Sequence, residues 1–261
     1  MENLMFSAET ITRTNERDIQ KPNEDAIISD VENQIFILLD GITRPHNEYL
    51  NPSQKSAALE ASETFAKNAY EYILTNSGKS NKEELLRDAA RHANAQIKKL
   101  RDKKSLEEWV FYPATLGIIA MIDNGILHYL AVGDCSGVLF RGSSRMIFGK
   151  EFSLDGVDLL APTKAERYQE YCNRKPSFLS YTVYNGDEWA PTDAEYSHFH
   201  VEKGDVILFV TDGAGDLVKY EKQSTLKSSS LDDLLVISEK YDIPPFANYA
   251  DDKSIIRIRI D

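Results

Sequence analysis

The sequence predicts an α+β fold of packed sheets and helices, and three observations carry that reading. Strand-like runs rich in Ile, Phe, Val and Thr come in groups. Two long helical stretches stand next to one another, and strand–helix–strand alternation of the doubly wound kind is scarce. At 261 residues with 42% hydrophobic side chains, the chain is within the range of one large domain with a sizeable core.

The elements follow in order. Residues 5–13, 25–30 and 34–40 have the composition of short strands. In residues 53–75, Ala57, Ala58, Ala61, Phe65, Ala69, Tyr72 and Ile73 recur at helical spacing, with Ser53 after Pro52 as the expected N-cap. A second helix, about 81–103, carries Leu85, Leu86, Ala89, Ala93, Ile97 and Leu100 on one stripe, and Asn76-Ser77-Gly78 separates the pair. Strands at 115–122 and 126–132 flank Asp123-Asn124-Gly125, whose Asn-Gly step signals a hairpin, and a strand at 136–141 follows the Gly133-Asp134 corner. The stretch 150–200 reads as an irregular, flap-like insertion with a short helix near 163–173, because prolines and aromatics recur in it without a period. A strand at 205–211, a short helix, a helix near 230–241 and a closing strand at 253–260 complete the chain. In that last strand Arg257 and Arg259 alternate with Ile256, Ile258 and Ile260, the pattern of a strand packed on one side.

Four acidic clusters sit at the ends of these apolar runs: Asn23-Glu24-Asp25, Asp40-Gly41, Asp212-Gly213 and Asp251-Asp252. A carboxylate beside a hydrophobic strand is costly to desolvate unless something positive neutralises it. Four such places suggest strand ends converging on bound cations. Oxygen ligands without partnering His or Cys favour Mg²⁺ or Mn²⁺ over Zn²⁺.

Bulk composition narrows the field. The formal charge of −12 argues against a broad nucleic-acid-binding face. Cys135 and Cys172 lack metal-type spacing and fit a reducing compartment, with Cys135 expected as a small buried thiol. No secretory signal and no apolar run of roughly 18–20 residues is visible, so a cytoplasmic protein without a membrane span is expected.

The motifs resemble, in order and over nearly the whole chain, those of the metal-dependent protein phosphatase 2C family of Ser/Thr phosphatases. Asn23-Glu24-Asp25-Ala26 is similar to its first motif and Leu39-Asp40-Gly41 to its second. Gly133-Asp134-Cys135-Ser136 is similar to its central Gly-Asp-Ser, Asp212-Gly213 with Asp216 to its late Asp-Gly motif, and Asp251-Asp252-Lys253-Ser254 to its terminal Asp-Asn-x-Ser/Thr. The resemblance implies two antiparallel sheets flanked by helix pairs, a four-layer α-β-β-α sandwich. It implies phosphoserine and phosphothreonine hydrolysis by a water activated between two Mg²⁺ or Mn²⁺ ions, in signalling that opposes a Ser/Thr kinase. It further implies that Asp40 bridges the ions, that Gly41 offers its carbonyl, and that Asp212 and Asp251 complete one ion. Glu24 would hold the other through water, with Asp25 supporting from behind. Asp134 and Asp216 match positions that hold a third, weaker metal in some members.

The chain departs from the family pattern in two places. Asp40-Gly41 leads into Ile42-Thr43-Arg44 where the family often has His-Gly-Gly or Met-Gly-Gly, so protonation of the leaving group falls to water or another acid; His46 is near in sequence. Gln20 stands where the family tends to carry a phosphate-gripping Arg, and Arg13, Arg17, Lys21 and Arg44 are the cations near that place. These departures motivate an alternative, a phosphatase-like regulatory module that binds a phosphoprotein without useful turnover. A third option is a metallohydrolase of small phosphorylated molecules.

Overall fold

The computed structural model describes residues 4–14, 22–42, 55–104, 113–149, 173, 183–242 and 251–261. Among the described residues the strands are β1 (Phe6–Arg13), β2 (Ala26–Asp30), β3 (Ile35–Gly41), β4 (Thr115–Asp123), β5 (Ile126–Val132), β6 (Ser136–Arg141), β7 (Ser144–Phe148), β8 (Glu195–His200), β9 (Val206–Val210) and β10 (Lys253–Ile260). The helices are α1 (Ala57–Asn76), α2 (Lys82–Lys104), the short α3 (Ala190–Asp193), α4 (Asp212–Tyr220), α5 (Gln223–Ser228) and α6 (Leu231–Ser238), with a 3₁₀ turn at Glu239–Tyr241. Two five-stranded sheets form, both antiparallel: β1-β10-β9-β6-β7 (sheet 1) and β2-β3-β4-β5-β8 (sheet 2). Helices α1 and α2 pack on each other and on sheet 2, while α4 and α6 pack on sheet 1. The four-layer sandwich expected from the sequence is therefore present.

Side-chain alternation assembles these layers. In β9, Ile207 and Phe209 join the core between the sheets, whereas Val206, Leu208 and Val210 join a second core with Ala214, Leu217, Leu234 and Leu235 of the helices. Sheet 2 is covered on both faces, which is why β3 is an unbroken apolar run from Ile35 to Leu39 with every residue buried. Asn124 and Gly125 both take positive φ, 50° and 75°, as a two-residue turn between right-twisted strands requires.

The structure differs from the sequence reading in four places. The stretch read as irregular, 150–200, contributes β8 and the fully buried Val183 and Tyr184; Tyr184 stacks on Phe65 at 4.2 Å between ring centres. The helix expected near 163–173 lies outside the described residues. Strand β7 is absent from the sequence reading: it is an edge of sheet 1, and its five residues are mostly exposed, with only Phe148 buried. The N-cap of α1 is Ser56, whose Oγ accepts a hydrogen bond from Leu59 N at 3.1 Å, while Ser53 lies outside the described residues. The strand β10 is covered on both faces. Arg257 is only 3% exposed and donates to Ser229 O and to Glu9 Oε2, at 2.5 and 2.6 Å, so a charged residue fills the helix-side face.

Two stability predictions follow from this packing. Ser230 caps α6 by accepting from Asp233 N at 3.1 Å, so Ser230→Ala should cost about 1 kcal/mol in urea unfolding. The Tyr184 hydroxyl is buried without a hydrogen-bond partner among the described residues, so Tyr184→Phe should leave the unfolding free energy equal or higher. A clear loss in that second variant would show that the hydroxyl is satisfied in solution.

Candidate metal centre

The chain crosses from sheet 2 to sheet 1 through only Gly133, Asp134 and Cys135, between the end of β5 and the start of β6. That short corner holds one end of each sheet together. At this end of sheet 1 lie the end of β1 and the start of β10, with Arg13 opposite Lys253, and the end of β9 beside the start of β6, with Val210 opposite Ser136. At the same end of sheet 2, Ala26 opens β2, Gly41 closes β3 and Thr115 opens β4. Every acidic motif singled out in the sequence borders one of these strand ends.

Three carboxylates meet there. One oxygen each from Asp40, Asp134 and Asp212 lies within 4.8 Å of the others, all three side chains being partly buried. Asp40 is the penultimate residue of β3, Asp134 is in the corner, and Asp212 begins α4, where the positive end of the helix faces an anion favourably. The resemblance expects Asp134 with Asp216 at a third metal position, and Asp134 is the one of the two that lies beside Asp40 and Asp212. Asp251 lies outside this group of three, yet its charge raises the carboxyl pKa of each of them. Its Oδ1 accepts from Asp252 N at 2.8 Å. Asp216 stands apart in the first turns of α4, 3.9 Å from Lys219, and burial pushes its carboxyl upward.

Glu24 and Asp25 reach the same end from the other side. Glu24 is fully buried: its Oε1 accepts from Ser56 Oγ at 2.5 Å, its carbonyl accepts from Ser62 Oγ at 2.5 Å, and its N–H donates to Asp252 Oδ2 at 2.9 Å. The start of α1 is thereby tied to the acidic end of the sandwich. Asp25 Oδ2 accepts from Thr211 Oγ1 at 3.2 Å, and that hydroxyl also accepts from Ser254 N at 2.9 Å. Thr211 precedes α4, but its hydroxyl serves these neighbours and does not cap the helix. Sequence reasoning missed Ser56, Ser62 and Thr211 as supports. Single hydroxyls carry no pattern, although all three lie close in sequence to an acidic motif or a helix start.

Glycine follows Asp40 and Asp212 for a steric reason. A Cβ on Gly41 would lie 2.5 Å from Glu24 O, and one on Gly213 would lie 2.1 Å from Asp252 O. Both are closer than real Cβ contacts, so each Asp-Gly pair marks a close backbone approach between the strand ends.

The electrostatics are those of crowded anions. Burial first, then the charges of Asp212, Asp25, Asp251 and Asp134, hold the Asp40 carboxyl well above its ordinary range. Asp212 is raised likewise by burial and by Asp251, Asp134 and Asp25, although the Gly213 N–H pulls it downward. Asp25 is pushed up to about 7 and Asp134 to about 6, burial being the largest cause in each. Cys135 is 1% exposed, and burial and the same acids keep its thiol protonated, so it is a packing residue and not a nucleophile. Oδ1 of Asp25, Asp134 and Asp212 is buried and accepts no hydrogen bond among the described residues. Unpartnered buried carboxylate oxygens facing like charges fit a hard divalent cation, which supplies both the ligand bond and the missing charge.

Of the cations considered for phosphate, Arg13 ends β1, and its Nη1 donates to Glu239 Oε1 at 2.9 Å. Arg17, Lys21 and Arg44 lie outside the described residues, as do Gln20 and His46. Ile42 is described, and its N–H donates to Ala114 O at 3.1 Å.

No protein-family model and no curated protein matches the sequence. Solved structures do match over almost the full length. The catalytic domain of the serine/threonine phosphatase PstP in complex with two manganese ions has 17% identity and a TM-score of 0.66, with 99% of each chain covered. The phosphatase PstP/Ppp of Mycobacterium tuberculosis has 16% identity and a TM-score of 0.70, with 97% of this chain and 98% of that chain covered. Stp1 of Staphylococcus aureus, also a serine/threonine phosphatase, has 17% identity and a TM-score of 0.69, covering 98% and 96%. The paired sheets, the flanking helices and their order along the chain are thus those of the phosphatase 2C-type Ser/Thr phosphatase fold.

Proposed function

We propose that this chain is a Mg²⁺- or Mn²⁺-dependent hydrolase of phosphoserine and phosphothreonine in proteins. The observation that carries the reading is the convergence of Asp40, Asp134 and Asp212, each from a different strand end, with buried carboxylate oxygens left unpartnered. Asp40, Asp212 and Asp251 hold the ions together with Asp134 and the Gly41 carbonyl. Glu24 acts through water, Asp25 steadies the group through Thr211, and Asp216 is the outlying acid of a third position. Two divalent ions, when bound, would supply an activated water and a clamp for in-line phosphoryl transfer. The chain's own contribution is to aim the carboxylates and to hold the surrounding backbone in place. Of the cations named for phosphate, Arg13 is the one among the described residues, and its guanidinium is paired with Glu239. The protein's acidity favours encounter with basic segments bearing a phosphosite, phosphorylated by an opposing Ser/Thr kinase. No helix among the described residues is long and apolar enough to cross a membrane, consistent with the proposed cytoplasmic setting.

One observation favours the regulatory-module reading. Ile42 follows Gly41 and is engaged with Ala114 O, so no histidine stands at that place to protonate a leaving group. Hydrolysis of para-nitrophenyl phosphate and of a phosphothreonine peptide, in Mn²⁺, Mg²⁺ or EDTA, separates the two readings. Metal-dependent turnover supports the enzyme; metal binding without turnover on either substrate supports the module.

Two predictions accompany the proposal. Asp40→Asn and Asp212→Asn should each reduce Mn²⁺-dependent turnover by at least about 100-fold. In EDTA the same variants should melt no lower than wild type, because each removes a charge from a crowded cluster. A variant that keeps wild-type turnover would remove that residue from the ligand set.

The second concerns pH. The raised carboxyl pKa values, about 7 for Asp25 and about 6 for Asp134, mean that the metal-free fold binds more protons than the unfolded chain between pH 4 and 7. Stability in EDTA should therefore fall as pH rises from 5 to 8, as these groups ionise against one another. Saturating Mn²⁺ should flatten the fall in thermal-melting series. A metal-free melting temperature that rises over this interval would contradict the crowding.

A further inference from the structure

Lys253 is a lysine where burial is least expected. Its side chain is 6% exposed, and it lies one residue beyond Asp251-Asp252 at the start of β10. Alternation along β10 sends Ser254, Ile256 and Ile258 toward the other sheet, and sends Lys253, Ile255 and Arg257 toward the helices. On that side Lys253 Nζ donates to Gly213 O at 2.9 Å and to Asp242 Oδ1 at 2.5 Å, the Asp242 side chain being 13% exposed. Gly213 is the residue after Asp212, and its Cα side abuts the Asp252 carbonyl. One ammonium thus joins the backbone on both sides of the acidic group: the segment that carries Asp251 and the turn that carries Asp212.

We infer that Lys253 is a positioning residue for the metal centre, which fixes the Asp212-Gly213 turn against the Asp251-Asp252 segment through Gly213 O and Asp242. The inference rests on the metal-binding reading above, and it concerns a residue that touches neither the phosphate nor a metal. Its physical basis is geometric. A buried ion pair with an additional carbonyl acceptor holds a lysine in one place, which a solvated lysine lacks. The two segments it joins are otherwise linked at this point by Thr211 N to Ser254 O, at 3.1 Å, and by Ser254 N to Thr211 Oγ1. Those bonds secure the strand pairing, and the Lys253 ammonium adds a side-chain tie to the Gly213 carbonyl in the first turn of α4.

The sign of the effect distinguishes positioning from charge. A positive group beside a cation site disfavours the cation, so removing the ammonium should tighten metal binding if only its charge mattered. If Lys253 positions the ligands, removing it should weaken binding.

The test is Mn²⁺ titration of the purified full chain by calorimetry, with melting curves in EDTA, for wild type, Lys253→Met, Lys253→Arg and Lys253→Gln. The expected result is a Kd raised about tenfold or more in Lys253→Met, with Lys253→Arg restoring the affinity to within about threefold of wild type. Should Lys253→Met fail to fold, Lys253→Gln removes the same charge with a shorter polar side chain, and it should still weaken Mn²⁺ by about threefold or more, where charge alone would tighten it. Unchanged or tighter Mn²⁺ binding in a folded Lys253→Met, or in a folded Lys253→Gln, would overturn the inference and leave the pair a stabilising contact only. Failure of the wild-type chain to bind Mn²⁺ would instead refute the metal-centre reading on which the inference stands.

Discussion

Mutual repulsion among carboxylates brought to one end of the sandwich is the constraint on which the rest of this structure depends. Asp40, Asp134 and Asp212 stand within 4.8 Å of one another, with the charge of Asp251 bearing on all three. In water such a group would spread apart; here each member is fixed by the end of a different element, and the elements are fixed by two apolar cores. Burial of β3, β4, β9 and β10 supplies the driving force, and the acidic end opposes it. The fold thus carries a local destabilisation that only protons or cations relieve, which is the usual relation between a preorganised site and its scaffold.

The devices that hold this end together share a principle: backbone is anchored to backbone or to a buried hydroxyl, so that Oδ1 of Asp25, Asp134 and Asp212 stays unspent among the described residues. Thr115 Oγ1 donates to the Asp40 carbonyl at 2.7 Å, and Ser62 Oγ donates to the Glu24 carbonyl. Thr211 Oγ1 receives Ser254 N. Gly41 and Gly213 allow neighbouring chains to approach where any side chain would collide. Asp25, Asp251 and Asp252 each accept a hydrogen bond from a neighbour, and Glu24 Oε1 accepts from the residue that caps α1. It thereby couples the first helix to the site, so a change at Ser56 acts on both the helix start and the acidic end.

Most of the architecture was legible in the sequence because period and composition reported burial directly. The unbroken run Ile35–Leu39, the Asn124-Gly125 turn and the stripe on α2 each reflect a physical demand of their surroundings. What stayed hidden depends on contacts distant in sequence. Glu195–His200 shows no clear apolar alternation, and it becomes a strand by pairing with β5 at the sheet edge. Strand β10 has the same alternating pattern as a half-exposed strand, yet Arg257 is buried, with Ser229 O and Glu9 accepting from its two terminal nitrogens. Of the acids, the Asp-Gly pairs announced themselves. The membership of Asp134 in the central group did not, since a carboxylate in a three-residue corner has no pattern until the two sheets are placed.

The two faces of β10 show how one strand can serve both stability and chemistry. Ser254, facing the other sheet, meets Thr12 Oγ1 at 2.7 Å and binds Thr211 through its N–H, close to Asp25. Lys253, facing the helices, meets Gly213 and Asp242. Beyond them Ile255 and Ile256 enter separate cores. Because successive residues point to opposite faces, a one-residue slip of β10 would place Lys253 among the acids of the inter-sheet face and a serine hydroxyl against Asp242. Register at this strand is therefore specified twice, by the apolar alternation of Ile256, Ile258 and Ile260 and by a buried ion pair that only one register satisfies. The polar end gains its geometry from the apolar body of the same strand, and in return it forbids the slipped alternative that an Ile-rich strand would otherwise tolerate.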